Sequence, residues 1–97
     1  MFIRRTRRFE ARAQRKSNAV LNLILKKFNE FYDELYNSDN ERETEGYYEM
    51  LELSDDILKN CKPLVSALID ARHDYFTSDR ECVALAKTLL YYGLYKK

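Results

Sequence analysis

The chain has 97 residues, a formal net charge of +1, two glycines, one proline and no tryptophan. This length predicts a single helical domain, 1–97, with a modest core and no space for a separate cofactor domain. So few turn-forming residues exclude a β-sandwich or barrel. They predict an all-α fold, a small helical bundle of three to four helices with a long, basic first helix.

Charge is separated along the chain. Residues 1–27 carry nine Lys/Arg and one acid, residues 28–62 carry three Lys/Arg and eleven acids, and residues 63–97 are nearly balanced at five against four. We treat these as a basic helical segment, an acidic segment and the C-terminal helices. Folding a small helical domain does not require such a separation, which therefore indicates a surface that meets an anionic partner.

The first predicted helix runs from about residue 4 to residue 36, because apolar residues recur there with the helical period. Its apolar face contains Val20, Leu21, Ile24, Leu25, Phe28, Phe31, Tyr32 and Leu35. On a wheel of about 100° per residue, most of its cations fall in one sector of about 120° opposite that face. These cations, which we name the basic stripe, are Arg4, Arg5, Arg8, Arg12, Arg15, Lys16 and Lys26. Beyond Lys26 the same face becomes acidic, with Glu30, Asp33 and Glu34.

The basic stripe stands at the wrong end of a helix for simple electrostatics, since a helix N-terminus favours acids and like charges four residues apart repel. This unfavourable placement of charge indicates that the basic stripe has a function that offsets its cost in stability. Arg pairs bidentately with phosphate, and a row of Arg on one helix face can follow a nucleic-acid backbone. The alternatives are a solvated face without a partner, an acidic protein surface and an anionic membrane, which the lack of Trp makes the least favoured.

A polar loop over residues 37–40 predicts the start of a second helix, from about 41 to 61, with Gly46 in its first turn. Asn40 with Glu43, or Ser38 with Glu41, stands at capping-box spacing. Its predicted inner face comprises Tyr47, Met50, Leu51, Ile57, Leu58 and Cys61. The acids of residues 30–56 form a solvated face, bind a basic partner, or pair with the basic segment, either in the same molecule or in the next copy of a head-to-tail homo-oligomer.

Pro63 predicts the first turn of a third helix that continues to about residue 76, with Tyr75 and Phe76 inward. The apolar residues on both sides of the proline share one helical phase, so a single kinked helix is the alternative. Arg72 falls in the middle of the apolar face. We expect it either to pair with an acid of the second helix or to mark an opening in the bundle.

Ser78 and Glu81 form a capping box, so Thr77 or Ser78 starts the last helix, which ends near Gly93. Its predicted inward residues are Cys82, Val83, Ala86, Leu89, Leu90 and Leu94. Tyr32, Tyr47 and Tyr75 are predicted in the core. Tyr48, Tyr91, Tyr92 and Tyr95 point to several sides of their helices, and exposed tyrosines are typical of protein interfaces.

No catalytic, metal or cofactor site is predicted. Cys61 and Cys82 form no metal-binding spacing, and we expect two buried thiols of a reducing cytoplasm, with a disulfide as the alternative. His73 has no partner at motif spacing and is expected in solvent. We find no nucleophile–base pair and no phosphate-binding loop. The leading hypothesis is a cytoplasmic, non-enzymatic adaptor, structural or regulatory protein that binds nucleic acid or a nucleoprotein assembly.

From Pro63 onward the chain resembles the cytosolic immunity proteins of class II bacteriocins. The resemblance rests on the Pro63-Leu64-Val65 start of one helix, the Ser78-Asp79 start of the last, and a tail containing Tyr and Gly. It implies a non-enzymatic four-helix bundle that docks on a membrane permease–bacteriocin complex, although it does not account for the basic segment. The alternative function is therefore a protein-binding inhibitor or immunity-type bundle, bacteriocin-immunity-like or a virus- or plasmid-encoded inhibitor of a host factor. Its basic stripe would meet an acidic protein surface.

Overall fold

The computed structural model describes residues 2–40, 42 and 44–95, and for residues 2–18 it describes the helical backbone without side chains. Four helices follow one another: α1 (Phe2–Asn37), α2 (Tyr47–Asn60), α3 (Lys62–Arg72) and α4 (Asp79–Tyr91). The described residues contain no β-strand, so the prediction of an all-α bundle is confirmed. α4 packs against both α1 and α2, and α3 makes smaller contacts with the same two helices.

α4 is the centre of the bundle, because its residues are apolar or small on nearly every side. Its buried residues are Cys82, Val83, Ala84, Leu85, Ala86, Thr88 and Leu89. The buried Thr88 hydroxyl donates to the Ala84 carbonyl at 2.7 Å. The buried Ser54 hydroxyl of α2 donates to the Leu51 carbonyl at 2.6 Å. Both hydroxyls are thus satisfied within their own helices, which removes the cost of burying them.

α1 contributes one face to the core, through Ile24, Phe28 and Leu35. Val20 is 56% exposed, so its predicted place in the core is wrong. Tyr92, just past the end of α4, lies level with Leu23, because its hydroxyl is 3.4 Å from the Leu23 carbonyl oxygen. Val20 lies about one turn beyond that level, so α4 ends before it covers this residue.

α2 begins at Tyr47 rather than at residue 41, so the predicted start and the place of Gly46 inside the helix are wrong. Gly46 precedes the helix in the left-handed conformation, with φ of 77°, which glycine adopts at little cost. The Asn40 side chain instead accepts a hydrogen bond from the Arg42 amide at 3.2 Å. Glu41 and Glu43, the acids of the two expected capping pairs, lie outside the described residues.

Pro63 starts a new helix, as the simpler prediction stated. Cys61 leaves the helical conformation, with φ of −115° and ψ of 38°, and Pro63 occupies the first turn of α3, where its missing N–H costs nothing. The Cys61 amide still donates to the Ile57 carbonyl at 2.8 Å, and the Cys61 carbonyl accepts from the Val65 amide at 2.9 Å. This one-residue break explains why the apolar residues keep one phase across the proline.

α3 ends at Arg72, about one turn earlier than predicted. His73 has φ of 58°, which ends the helix, and the Tyr75 amide donates to the Asp74 carboxylate at 2.9 Å. Phe76 is buried as expected, but Tyr75 is 68% exposed, so its predicted core position is wrong. The helical phase used for that prediction does not continue past His73.

Both predicted ends of α4 are confirmed. The Ser78 hydroxyl oxygen accepts from the Glu81 amide at 3.2 Å, and the Ser78 amide donates to the Glu81 carboxylate at 3.2 Å, which completes the capping box. Gly93 turns the chain with φ of 67°. Leu90 and Leu94 are exposed, contrary to prediction. Leu90 lies about 100° around the helix from the buried Leu89, and Leu94 follows the turn, where helical phase ends.

Candidate functional site

The basic stripe lies on α1, but most of it falls where only the backbone is described. Arg4, Arg5, Arg8, Arg12, Arg15 and Lys16 belong to residues 2–18, so the geometry of their side chains lies outside the described residues. Lys26 is described and exposed. The expectation that these cations form one surface therefore stays a prediction.

The outer face of α1 continues past Lys26 as exposed acids. Glu30, Asp33 and Glu34 are all exposed, and they follow Ala19 and Leu23, which are exposed as well. On a helical wheel these residues share the sector of the basic stripe. One side of α1 thus presents small and apolar residues at its middle and acids toward its C-terminal end.

Lys27 lies beside this face and ties α1 to the end of α4. Its Nζ is 2.8 Å from the Glu30 carboxylate and 4.3 Å from the centroid of the Tyr91 ring. The hydrogen bond between the two side chains raises the pKa of Lys27 and lowers the pKa of Glu30. Lys27 therefore stays protonated while it lies over the aromatic ring, an arrangement that cation–π attraction favours.

Four exposed side chains form what we name the tyrosine patch: Val20, Leu23, Tyr91 and Tyr92. The rings of Tyr91 and Tyr92 meet edge to face, with centroids 5.0 Å apart. Tyr91 also meets Phe31 of α1 at 6.2 Å, while the Tyr92 hydroxyl reaches the Leu23 carbonyl. These contacts hold the two tyrosines against the middle of α1.

Two of the four predicted interface tyrosines do not belong to this patch. Tyr48 is exposed in the first turn of α2, with its ring 5.4 Å from that of the buried Tyr47. Tyr95 is half-buried and packs against the core. The structure therefore brings Tyr91 and Tyr92 together but not all four predicted residues.

Arg72 pairs with an acid of α4 rather than of α2, which corrects the first of its two expected arrangements. Its guanidinium is 2.9 Å from Glu81 and 3.9 Å from Asp74, and it donates to the Tyr75 carbonyl at 2.9 Å. It also lies over the rings of Phe28 at 4.9 Å and Phe76 at 4.5 Å. The cation is thus held at the junction of α1, α3 and α4.

Glu81 serves both the cap of α4 and this ion pair, a second role that the capping motif does not reveal. Burial alone favours the neutral carboxyl group and raises its pKa. Hydrogen bonds from Ser78 and Arg72 outweigh burial, so the pKa of Glu81 is lowered. The ionised carboxylate is the form that the fold stabilises.

A shallow pocket of about 260 Å³ opens beside the end of α1, and no sequence pattern predicts it. Its lining residues are Leu35, Tyr36, Ser38, Asp39, Asn40, Arg42 and Arg80. The Arg80 guanidinium lies 5.4 Å from the Tyr32 ring centroid and 4.9 Å from that of Tyr36. The lining carries one carboxylate and two guanidinium groups, so it is of mixed charge.

Cys61 and Cys82 are both free thiols, so the alternative of a disulfide is wrong. Cys82 is buried, and burial raises the pKa of its thiol, which keeps it protonated and unreactive. His73 is exposed, as expected. Within the described ranges, no group of three or more His, Cys, Asp or Glu is placed to hold a metal ion. None of the described helices is long and apolar enough to cross a membrane.

The acids of α2 do not pair with described cations. Glu49, Glu52 and Asp55 are exposed, and none of them forms an ion pair with another residue in the part of the chain that the structure describes. Comparison with known proteins adds no relative: no family model, no curated protein and no solved structure matches this chain.

Proposed function

We propose that this protein is a small, non-enzymatic, cytoplasmic adaptor, structural or regulatory protein that binds nucleic acid, or a nucleoprotein assembly, through the basic stripe of a long first helix. The observation that carries the proposal is the single sign of charge over residues 1–27, with nine Lys/Arg and one acid, within the span of α1. Mixed charge is the usual composition of a solvated helix face, so a one-signed segment indicates an anionic partner.

The spacing of the stripe suits a phosphate backbone. Members four residues apart on a helix lie about 6 Å apart along its axis, and the span from Arg4 to Lys16 is about 18 Å. Duplex DNA carries about ten negative charges over that length. Six cations on one side of a helix can therefore each face a phosphate, and six of the nine cations of residues 1–27 are Arg, whose fork binds phosphate oxygens bidentately.

The described half of α1 supports an outward-facing stripe. Ile24, Phe28 and Leu35 fix one face of the helix in the core, and Lys26, the last member of the stripe, is exposed on the other side. On the helical wheel the remaining cations share the sector of Lys26. Recognition of backbone and shape, rather than of bases, fits a row of cations without a groove-reading motif.

The first prediction is a steep salt dependence of binding. Fluorescence anisotropy with mixed-sequence duplex DNA and RNA measures the affinity at about 50 and 200 mM salt. Neutralising about five phosphates gives a slope of log K against log salt near −4.5, so the affinity falls about 500-fold over this range. The variant Arg8→Glu/Arg12→Glu removes binding.

The control is Lys59→Glu/Lys62→Glu, which makes the same change in net charge at two exposed lysines where α2 meets α3. It keeps its affinity within about threefold if the stripe is the binding surface, since these lysines belong to α2 and α3 and not to the stripe. No binding by folded wild-type protein at low salt, or equal losses in the two variants, contradicts the proposal.

The tyrosine patch favours a second candidate function, a protein-binding inhibitor or immunity-type bundle. Tyr92 is 41% exposed, and its hydroxyl reaches the carbonyl of Leu23, which is 59% exposed. Tyr with apolar neighbours is typical of the centre of a protein interface. In that case the basic stripe meets an acidic protein surface. Wild-type protein then ignores free DNA and RNA at both salt concentrations, and the same anisotropy experiment distinguishes the two functions.

A further inference from the structure

We propose that two copies of this chain associate through the outer faces of their α1 helices, antiparallel, about a twofold axis near residue 21. The tyrosine patch lies at the centre of this interface, and the basic half of each α1 lies along the acidic half of the other. The inference shares the basic segment with the proposed function but does not require nucleic-acid binding. It adds the exposed apolar patch and the exposed acids of α1.

The centre of the interface is apolar. Val20 and Leu23 are each more than half exposed on α1, and Tyr91 and Tyr92 extend the same surface onto the end of α4. The contacts of Tyr92 with the Leu23 carbonyl and of Lys27 with the Tyr91 ring make this one surface rather than scattered side chains. Grouped apolar and aromatic residues of this kind mark protein interaction sites.

One side of the patch is acidic in the structure. Glu30, Asp33 and Glu34 are exposed, and neither Asp33 nor Glu34 forms an ion pair with a described residue. The other side of the patch is the basic segment of the sequence, on the same sector of the helical wheel. Arg12 and Glu30 are 18 residues apart, about 27 Å along a helix, so the two ends of this face cannot pair within one molecule.

A twofold axis brings the opposite charges together. Arg12 and Glu30 each stand nine residues from Leu21, and Arg8 and Glu34 each stand thirteen residues from it. In an antiparallel pair of helices, Arg12 of one copy therefore lies level with Glu30 of the other, and Arg8 lies level with Glu34. Twofold symmetry repeats each pairing, whereas a parallel arrangement sets base against base and acid against acid.

The same register also brings Lys16 level with Lys26, and Arg15 level with Lys27, five and six residues on either side of Leu21. These like-charge pairs oppose association, so Lys26→Glu should strengthen it. The interface covers the basic stripe, and nucleic acid and a second copy therefore compete for the same cations. Self-association is for that reason measured on protein freed of nucleic acid.

The second prediction uses two charge-reversed variants that are complementary to each other. One is Glu30→Lys/Asp33→Lys/Glu34→Lys and the other is Arg8→Glu/Arg12→Glu/Arg15→Glu. Sedimentation equilibrium, over protein concentrations of about 1–200 μM, gives the dimerisation constant of each at low salt. We expect a wild-type dimer, at least tenfold weaker association of each variant alone, and a heterodimer when the two variants are mixed. In that mixture every basic half again meets an acidic half.

The control is Lys59→Glu/Lys62→Glu, a charge reversal at two exposed lysines of α2 and α3, which should dimerise as the wild type does. Circular dichroism confirms that each variant is folded. A wild type that is monomeric throughout this range overturns the proposal, as does a mixture that remains monomeric. Neither result touches nucleic-acid binding, which the anisotropy experiment decides on its own. Conversely, a dimer that forms in protein unable to bind DNA or RNA upholds this inference without the proposed function.

Discussion

α1 and α4 lie against each other in one bundle, yet their side chains are arranged in opposite ways. α4 is buried over most of its surface, because it packs against both α1 and α2. In the described half of α1, by contrast, the buried residues are Ile24, Phe28 and Leu35, and the opposite side faces solvent. α4 is enclosed by its neighbours, whereas the described half of α1 has one buried side and one exposed side.

The difference shows which residues are not constrained by core packing. In α4 the fully buried Ala84 and Ala86 allow neighbouring helices to approach closely, and the charges stand mainly in the first turn. Among the residues whose side chains are described, Glu30, Asp33 and Glu34 on the outer face of α1 are exposed to solvent. Their charge pattern is therefore not explained by the core, and this is why both proposals rest on α1.

The largest expected effect is a loss of stability from the core of α4, and the same deletion on the outer face of α1 is its control. Leu89 is fully buried, so Leu89→Ala should lower the free energy of unfolding by about 2–5 kcal/mol. Leu23 is more than half exposed, and Leu23→Ala should change it by less than about 0.5 kcal/mol. Urea denaturation followed by circular dichroism, at about 5 μM protein, measures both.

Similar losses in the two variants would break the comparison, because they would show that Leu23 is enclosed in solution. A repeat at about 200 μM then separates the causes. Leu23→Ala costs more at high concentration if a second copy covers the patch, since an interaction with the folded state adds to apparent stability by mass action. If the loss of stability in Leu23→Ala does not depend on protein concentration, Leu23 is covered by residues of the same molecule.

The next effect concerns Arg72, which joins the two helices by lying between Phe28 of α1 and Glu81 of α4. Arg72→Met keeps an unbranched apolar stem but removes the guanidinium, and leaves the half-buried Glu81 carboxylate without its cation. We expect the free energy of unfolding to fall by about 1–3 kcal/mol. The double variant Arg72→Met/Glu81→Gln should lose less than the sum of the single losses, because both remove one interaction. Strict additivity would show that the ion pair does not form.

Most of the fold could be predicted because its signals are local. The capping box at Ser78, the left-handed Gly93 after α4 and Pro63 in the first turn of α3 each follow from the residue itself. The wrong predictions arise where no local sequence signal marks the end of a helix. A left-handed His73 ends α3 early, Tyr75 is exposed, and the apolar periodicity used for the prediction does not mark that conformation.

The candidate surfaces were predictable in part. Periodicity places the cations of α1 opposite its apolar face, and exposure of Lys26 agrees with that for the described end of the stripe. The tyrosine patch was not predictable, since it forms only when the end of α4 meets the middle of α1. Periodicity within one helix carries no information about where a second helix ends, and the prediction for Val20 is wrong for the same reason.

The smallest effect is a pH dependence at the same junction. Glu81 has a lowered pKa in the folded protein, so its ionised form adds stability at pH values above its unfolded pKa, near the ordinary value of 4.5. That contribution is lost as the pH falls through the folded pKa. Since Glu81→Gln cannot ionise, the stability difference between wild type and variant should be greatest near pH 7 and shrink below about pH 5.

In the Arg72→Met background, denaturation curves at several pH values should show a weaker dependence of this stability difference on pH, because one hydrogen bond that lowers the pKa of Glu81 is gone. Curves for wild type and Glu81→Gln that run parallel down to about pH 3 would mean that the hydrogen bonds from Ser78 and Arg72 do not stabilise the ionised Glu81 carboxylate.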